Sequence, residues 1–595
     1  MEYLSLSYSQ LLGVHADLVP TSFETDLKIG LLSNIIVHKF KEPLECRLMI
    51  SGIKGSLTFG DYDSIVQNSF DFGDKDVVFV FWEAATLLPA LHYKIEQIGA
   101  EETKQLIEKV KAEIKMVLDN LANIPLVIFN KFSARLFTSS HFTGTAYTDF
   151  VDELNRHLAI VKAKNTTIID LDQVFLQTGI KNCVDYRFFY TSKAPYTFNF
   201  FKHYCDYIAP YICASFGKVK KALIFDCDNT LWKGIVGEDG LEGIRLSPET
   251  AEGMIFNEVQ SLATQLSKKG VIIGLCSKNN IEDVEEVLEK HPDQVLKNEH
   301  LAIKKINWQE KVLNLAEIAS ELNIGLESIV FIDDSPFELD RIRDALPQVT
   351  TIGVPKNIND YPNLIRKYMG LFFNFSITKE DQRKIVMYKE QRRRNEYRLE
   401  FNRLEDYLAS LDLQIIIDLN DHTKIERLAQ LTQKTNQFNA RTIRYSESDV
   451  GRMISQHDFD VFSITVNDKF GQYGITGLCI ISYQGASAFI DTFLLSCRVL
   501  SRHIEFKMIY SLINYLKKRN IETLTAEYLP TLKNVQIATF FDKSGFKVID
   551  KKNETIKYHI NIEQFVPADI SYIKVIEDEN GLAKISNGLN AEIER

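Results

Sequence analysis

Hydrophobic positions fall into two different periods along the chain, and the changes of period divide it. Up to about residue 215, short unbroken apolar runs (LKIGLLSNII, CRLMIS, DVVFVFW, IPLVIFN, TTIIDL) alternate with segments of helical spacing, the longest from Lys94 to Leu121. Strands covered on both faces are continuously apolar, so this alternation predicts an α/β domain with a largely parallel sheet over residues 1–218. A second α/β pattern opens at KKALIFDCDNT, continues through GVIIGLCSKNN and SIVFIDDSPFE, and fades after TTIGVP, giving a domain at 219–375. Dense alternating charge with spaced Ile, Val, Tyr and Leu over 376–411 suits one long amphipathic helix acting as a connector. From 412 to 562 helical segments precede the strands DVFSITVND, GITGLCIISY and SAFIDTFLLS, the helix HIEFKMIYSLINYLKK and the strand TLTAEYL, the order of an α+β domain. Residues 563–595 form a polar tail. No internal repeat is present.

Composition narrows the classes. The 595 residues exceed one core, and 45% hydrophobic with 25% charged residues and 14 prolines describe a folded globular chain. A net charge of -11 opposes nucleic-acid binding, which needs clustered Lys and Arg, while a small phosphate needs only a local basic pocket. No stretch approaches the roughly 20 apolar residues of a spanning helix, and the N-terminus lacks a signal peptide's basic start and apolar run, so no membrane contact and a cytoplasmic location are expected. Eight cysteines without C-x-x-C spacing suggest free thiols.

The candidate chemistry lies at strand ends. After ALIF come Asp226, Cys227, Asp228, Asn229 and Thr230, two carboxylates at the carboxyl end of a parallel strand, where open α/β sheets bind ligands. Asp226 is placed to attack phosphorus and Asp228 to move a proton, with Mg²⁺ offsetting the repulsion between carboxylate and phosphate. The run VIIGLC ends at Ser277, a hydrogen-bond donor for a phosphoryl oxygen. Lys311 can neutralise phosphate and carboxylate, and SIVFI delivers Asp333 and Asp334, either able to complete an oxygen-rich Mg²⁺ shell. The intervals from Thr230 to Ser277 and from Ser277 to Lys311 hold no large cap domain, so the site admits a bulky substrate or is closed by a neighbouring domain.

D-x-D-x-T, then Ser, Lys and DD in this order resemble the haloacid dehalogenase superfamily, which implies a Rossmann-like core with Asp226 as nucleophile, Asp228 as acid/base, and Asp226, Asp333 and Asp228, the last through its backbone carbonyl, as Mg²⁺ ligands. Thr230, Lys278, Asn279 and Asp334 are then expected at the substrate. DCDNTLWKGIVGEDG, LCSKNN, INWQEKVLNL and FIDDSPFE resemble the FkbH-like proteins in particular. So do LTQKTNQFNARTIRYS, DKFGQYGITG, LSCRVLSRHIE and YLPTLKN, in the region similar to that family's Gcn5-related acetyltransferase-like domain. The resemblance implies an enzyme that takes an acyl group from an acyl phosphate, such as 1,3-bisphosphoglycerate, and loads it onto the phosphopantetheine thiol of an acyl carrier protein. Cys276 is the favoured thiol for an acyl intermediate, ahead of Cys227 and Cys497. The alternative is a phosphatase of a sugar phosphate or small phosphometabolite coupled to an acyltransferase domain.

Two departures temper the likeness. The coenzyme A turn R/Q-x-x-G-x-G/A would be Arg498 to His503, with Ser501 and His503 where glycines admit the pyrophosphate, and Phe541 stands where a tyrosine acid is expected. Coenzyme A or a pantetheine arm is therefore assigned to Arg498, Arg502 and Asn534, with docking favoured over acetyl transfer. The first domain is similar to an SGNH hydrolase, with Ser33 near the nucleophile position. It lacks the late D-x-x-H, so it is expected to be non-catalytic.

Overall fold

The first 218 residues build a parallel sheet from β1 (Asp26–Ser33), β2 (Lys54–Phe59), β3 (Val77–Phe81), β4 (Leu126–Asn130) and β5 (Thr166–Ile169) in the order β2-β1-β3-β4-β5. The computed structural model describes residues 3–23, 25–138, 144–375, 383–552, 555–567 and 570–576. Successive residues of a strand face opposite ways. Val77, Phe79 and Phe81 accordingly join one apolar layer, and Val78 and Val80 the other. That double covering is why VVFVF is apolar without a break. Ser33 ends β1 with its hydroxyl donating to the Ile35 carbonyl, as a turn residue does.

One apolar run is not the strand it resembles. CRLMIS lies in the helix Lys41–Ile50, whose Leu44, Cys46, Leu48 and Met49 are all buried, and the strand follows as KGSLTF. Short apolar runs do not distinguish a deeply buried helix from a strand, and the edge strand β2 exposes alternate residues, which makes it look polar.

Residues 219 onward form a separate unit from residues 1–218, apart from 445–449, which group with the latter. It contains a second parallel sheet, β10-β9-β6-β7-β8, from β6 (Ala222–Phe225), β7 (Ile272–Ser277), β8 (Ile303–Ile306), β9 (Ile329–Asp333) and β10 (Thr350–Gly353). Both parallel sheets are Rossmann-like, and the chain is a multidomain α/β protein. Between β6 and β7 stand only a flap around the short helix Val236–Gly243 and the helix Ala251–Lys268, so no large insert covers the carboxyl edge.

The same unit holds a mixed sheet. Its order is β17-β18-β16-β15-β14-β13-β11-β19, from β11 (Gln414–Leu419), β13 (Phe459–Asp468), β14 (Gly471–Gln484), β15 (Ser487–Leu495), β16 (Thr523–Tyr528), β17 (Lys547–Lys552), β18 (Thr555–Asn561) and β19 (Lys574–Ile576). β15 and β16 pair in parallel only as far as Ile490 and Ala526. Beyond that point the end of β15 pairs instead with the two-residue β12 (Phe438–Asn439). β19 comes from the stretch marked as a polar tail, where three residues add to the edge of β11. Residues 577–595 lie outside the described residues.

Where one long helix was expected across 376–411, the described residues hold two, Lys384–Arg398 and Leu404–Ser410, and 376–382 lie outside the description. The break lets Tyr397, Phe401 and Tyr407 stack within 5.0–6.2 Å of one another against the mixed-sheet core. The first of these helices is packed rather than solvated. Arg394 is fully buried, its guanidinium donating to both oxygens of Asp468 at 2.7 and 2.9 Å and lying 4.0 Å from the Tyr473 ring centroid. Among the described residues, no helix is long and apolar enough to cross a membrane.

Candidate active site

β6, β7 and β9 end side by side, and their last residues converge. Lys311, the first residue of the helix Lys311–Glu321, reaches back so that Nζ lies 3.0 Å from Asp226 Oδ1 and 2.6 Å from Asp333 Oδ2. All three are buried, so each charge lacks the solvent that would otherwise hold it. Burial pushes the Asp226 carboxyl up to about 6 against the pull of Lys311, and it raises Asp333 and Asp334 for the same reason. Burial works against the Lys311 ammonium too, but the carboxylates of Asp226 and Asp333 outweigh it and hold the proton firmly. One lysine thus faces more negative charge than it can neutralise.

The donor set fits a hard divalent cation. Carboxylate oxygens of Asp226, Asp333 and Asp334 all lie within 4.8 Å of one another, and oxygen-only clusters of this kind suit Mg²⁺. Asp228, expected to ligate through its backbone carbonyl, turns its carboxylate away from this cluster. Oδ1 accepts from Trp232 Nε1 at 2.9 Å and from the Val236 amide at 3.0 Å, and Oδ2 accepts from Asn279 Nδ2 at 2.8 Å. Asp334, assigned from sequence to the substrate, instead joins the carboxylate cluster. Asn229 makes the bend possible by taking a φ of 51°, in the left-handed region that Asn tolerates better than most residues.

The remaining assigned residues separate into three groups. Ser277 and Asn279 stand beside the carboxylates, with Asn279 Nδ2 3.4 Å from Ser277 Oγ, and the buried Thr230 hydroxyl has no partner among the described residues. Lys278 is engaged by Glu338, its Nζ donating to Oε1 at 2.7 Å. Cys276 faces away. Ser277 points into the site, so strand parity sends its neighbour to the opposite face, where Cys276 packs with Ile224, Phe331 and Leu315, its Sγ 4.0 Å from the Lys311 carbonyl oxygen. Burial lifts its thiol far above the usual range, so it stays protonated, and the same holds for Cys227. Cys276→Ala is accordingly expected to leave turnover within about twofold of wild type while costing about 1 kcal/mol of stability. A loss of turnover with an unchanged melt would return the thiol to the chemistry.

Two supporting residues, Trp232 and Gln260, were not singled out from sequence, and Asn279 was expected at the substrate rather than beside Asp228. Trp232 and Asn279 fix the direction of the Asp228 carboxylate. Gln260 is fully buried, donating to the Leu231 carbonyl and accepting from the Val295 and Leu296 amides, so it ties the loop after Asp228 to the loop before β8. The spacing of Trp232 four residues after Asp228 was the only local signal; Gln260 acts through main chain and leaves none. Asn279→Ala and Trp232→Phe should each lower kcat about 10- to 100-fold with little change in KM, because Asp228 would lose its aim rather than its charge. Unchanged kcat in both would show that Asp228 needs no positioning.

A second polar site lies in the same unit, at the other end of the helix that begins with Lys311. Ser320 to Asn323, the helix Lys384–Arg398 and the turn Cys497–Arg502 enclose a cavity of about 310 Å³. Arg394, Arg398, Arg498 and Arg502 line it, with Glu390 and Glu321. Arg498 donates to Ser496 Oγ and contacts Met387 Sδ. Arg502, 8% exposed, donates to the Leu500 carbonyl and Gln391 Oε1, while its buried Nε has no partner among the described residues. Ser501 and His503 adopt φ of 61° and 63°, so the glycine-type turn persists without glycine. His503 Nδ1 is tied to the Tyr572 hydroxyl. Cys497 lies on the cavity wall. Asn534 does not line it, because its buried amide is used on the Asn439 and Leu529 carbonyls, the Thr531 amide and the Tyr528 hydroxyl. Phe541 is core.

No family model and no curated protein matches the chain. Among solved structures, the N-terminal part of the protein BF1531 from Bacteroides fragilis, containing a phosphatase domain complexed with Mg, is similar at 25% identity and a TM-score of 0.54, covering 62% of this chain and 100% of that one. The ribosomal-protein-S18-alanine N-acetyltransferase of Escherichia coli is similar at 13% identity and a TM-score of 0.21, over 26% of this chain and 97% of that one. The PaiA N-acetyltransferase of Thermoplasma acidophilum, in complex with coenzyme A, gives 15% identity and a TM-score of 0.21 over 24% and 98%.

Proposed function

We propose that the chain is a Mg²⁺-dependent phosphoryl- and acyl-transfer enzyme of the haloacid dehalogenase type, FkbH-like, that uses an acyl phosphate such as 1,3-bisphosphoglycerate to load the thiol of an acyl carrier protein. The observation that carries it is the buried Lys311 between Asp226 and Asp333 at the carboxyl edge of β6 and β9, with Asp334 completing an oxygen cluster. The phosphatase domain with Mg in the Bacteroides fragilis structure supports the phosphoryl part.

Asp226, Asp333 and Asp334 would hold Mg²⁺, and the bound ion would neutralise phosphate charge and polarise the phosphorus–oxygen bonds. Lys311 sits against the same oxygens and keeps Asp226 ionised beside an incoming dianion. Ser277 and Thr230 donate to phosphoryl oxygens, while the Asn279 amide is spent on Asp228 and Ser277. Asp228, aimed by Trp232 and Asn279, receives the proton of the incoming thiol. The thiolate sulfur bonds to the acyl carbon, the bond from that carbon to the phosphate oxygen breaks, and inorganic phosphate leaves with the proton. Because Cys227 and Cys276 are buried, the thiol has to come from the partner's phosphopantetheine arm. Arg498 and Arg502 then offer their cavity to a phosphate of that arm or of coenzyme A, and the SGNH-hydrolase-like first domain is assigned no catalytic step.

The same burial favours a second reading. With no thiol of its own at the site, the chain alone has Asp226 as its nucleophile, which suits hydrolysis of a sugar phosphate or small phosphometabolite. Incubation with Mg²⁺, 1,3-bisphosphoglycerate and a phosphopantetheinylated carrier protein separates the two. A carrier heavier by one glyceryl group supports loading; free phosphate beside an unmodified carrier sinks it.

A further inference from the structure

The cavity of about 310 Å³ carries charge that its own walls do not balance. Its charged lining, among the described residues, is Arg394, Arg398, Arg498 and Arg502 with Glu321 and Glu390. Arg394 is spent on Asp468, and the Glu390 carboxylate stands 3.6 Å from the same guanidinium. Glu321 is held by Lys305, which reaches it from β8. The other three cations meet only neutral groups among the described residues. Arg398 donates to the Phe401 carbonyl, Arg498 to the Ser496 hydroxyl, and Arg502 to the Leu500 carbonyl and Gln391 Oε1. Glu505, three residues beyond Arg502, does not answer that charge. Its Oε2 is buried without a partner among the described residues, and burial raises its carboxyl above the usual range although Arg502 pulls the other way.

Enclosed cations without a counter-charge are costly, so the cavity is built to receive an anion. Arg502 is more than nine-tenths buried, and its unpartnered Nε is a donor held ready for one. The main chain of the turn offers less. The Val499 and Leu500 amides already donate to the Ser496 and Cys497 carbonyls, and Ser501 and His503 carry side chains where glycines would let backbone approach a phosphate. Recognition therefore falls to guanidiniums, which reach the cavity from the helix Lys384–Arg398 and from the turn after β15. Charge then separates the candidates. A phosphate bonded once to carbon carries close to two negative charges at neutral pH, whereas one bonded twice, as in a carrier protein's arm, carries one. Three unanswered guanidiniums match the first.

We propose that Arg398, Arg498 and Arg502 form a binding site for a phosphate monoester, the dianionic end of a free small molecule such as the 3′-phosphate of coenzyme A or the phosphate of a sugar phosphate. The diester of a carrier protein's arm is not its ligand. This rests on the phosphate role given to the cavity under the proposed function and decides between the groups offered there. Arg398 enters as a third binding residue, placed by the end of its helix rather than by the turn.

Calorimetry on the full chain in EDTA tests this with two matched pairs. Coenzyme A is compared with dephospho-coenzyme A, which lacks only the 3′-phosphate, and glucose 6-phosphate with glucose 6-sulfate, which keeps the shape and loses a charge. The dianionic member of at least one pair is expected to bind about tenfold or more tighter. A preference in the first pair identifies coenzyme A as the source, and one confined to the second identifies a free phosphometabolite. Arg398→Gln and Arg498→Gln should each weaken that ligand about tenfold and remove the preference while melting like wild type; Arg498→Lys should restore part of it, since the charge returns without the fork. A phosphopantetheinylated carrier protein should not displace the ligand. Equal binding within both pairs, a preference that survives both Gln substitutions, or displacement by the carrier would overturn the proposal. These titrations need neither metal nor turnover. Their failure beside intact phosphate release from an acyl phosphate would strike the cavity alone, whereas lost release beside intact titrations would strike the phosphoryl-transfer reading.

Discussion

Asp226→Asn is expected to lower Mg²⁺-dependent phosphate release from an acyl phosphate by roughly three orders of magnitude or more, with the fold intact. In the proposed hydrolysis, with no carrier present, the carboxylate would serve as nucleophile and metal ligand together, and removing such a residue disables the whole constellation rather than one contact. A quench assay with acetyl phosphate reads this directly, and retention of a tenth of the activity would move the nucleophile elsewhere. The variant should also change the pH dependence of stability. In the folded protein Asp226 holds its proton to about 6, against an ordinary value of 3.8, because burial outweighs Lys311. Its contribution is therefore fully present below about pH 3.8 and is lost as pH rises through 6. In EDTA, the wild type should lose melting temperature relative to the Asn variant across that window, and Mg²⁺, which binds the ionised form, should reverse the loss. Parallel curves for the two proteins would show that Asp226 titrates normally.

Arg394→Ala is expected to be the most damaging substitution for stability, at about 3–5 kcal/mol, because it leaves the fully buried Asp468 carboxylate without its bidentate partner. The cost should fall sharply in the double variant with Asp468→Asn, since the uncompensated charge then disappears with the cation. Denaturant unfolding of all four proteins checks this, and additive losses would show that the pair is not coupled. Loss of Arg394 would also loosen the Lys384–Arg398 helix from the arginine-lined cavity. Any ligand of Arg498 and Arg502 should therefore bind more weakly to a variant altered some distance along that wall.

Much of the site was legible because chemistry and burial coincide in parallel sheets. A strand covered on both faces is written as an unbroken apolar run, and the first polar residues after it stand at the binding edge. Asp226, Ser277 and Asp333 were located that way, with Lys311 as the expected counter-charge. Direction was less legible than position. Asp228 and Asp334 were each placed at the site, but which carboxylate joins Asp226 and Asp333 depends on an indole from Trp232 and an amide from Asn279, contacts that spacing alone does not encode. Cys276 was a failure of parity, since the inward pointing of Ser277 already sends its neighbour behind the sheet. The strand Lys54–Phe59 was hidden by its edge position, and β19 by its polar surroundings. Asn534 looked like a ligand because its segment resembles a binding motif, whereas its amide is spent on the turn that contains it.

The helix Lys311–Glu321 meets the carboxylate cluster at its first residue and reaches the arginine cavity with its last turn. Eleven residues at about 1.5 Å each put those ends roughly 16 Å apart, with an apolar layer between them. Under the proposed function, an acyl group released at one end would have no covalent route to the other within the chain. If both sites serve one pathway, the cargo travels on something outside the fold, either free in solution or on a long tether that visits each end in turn. A tethered itinerary leaves a kinetic trace. Lengthening or shortening the tether would change the rate of the combined reaction while leaving each half-reaction untouched.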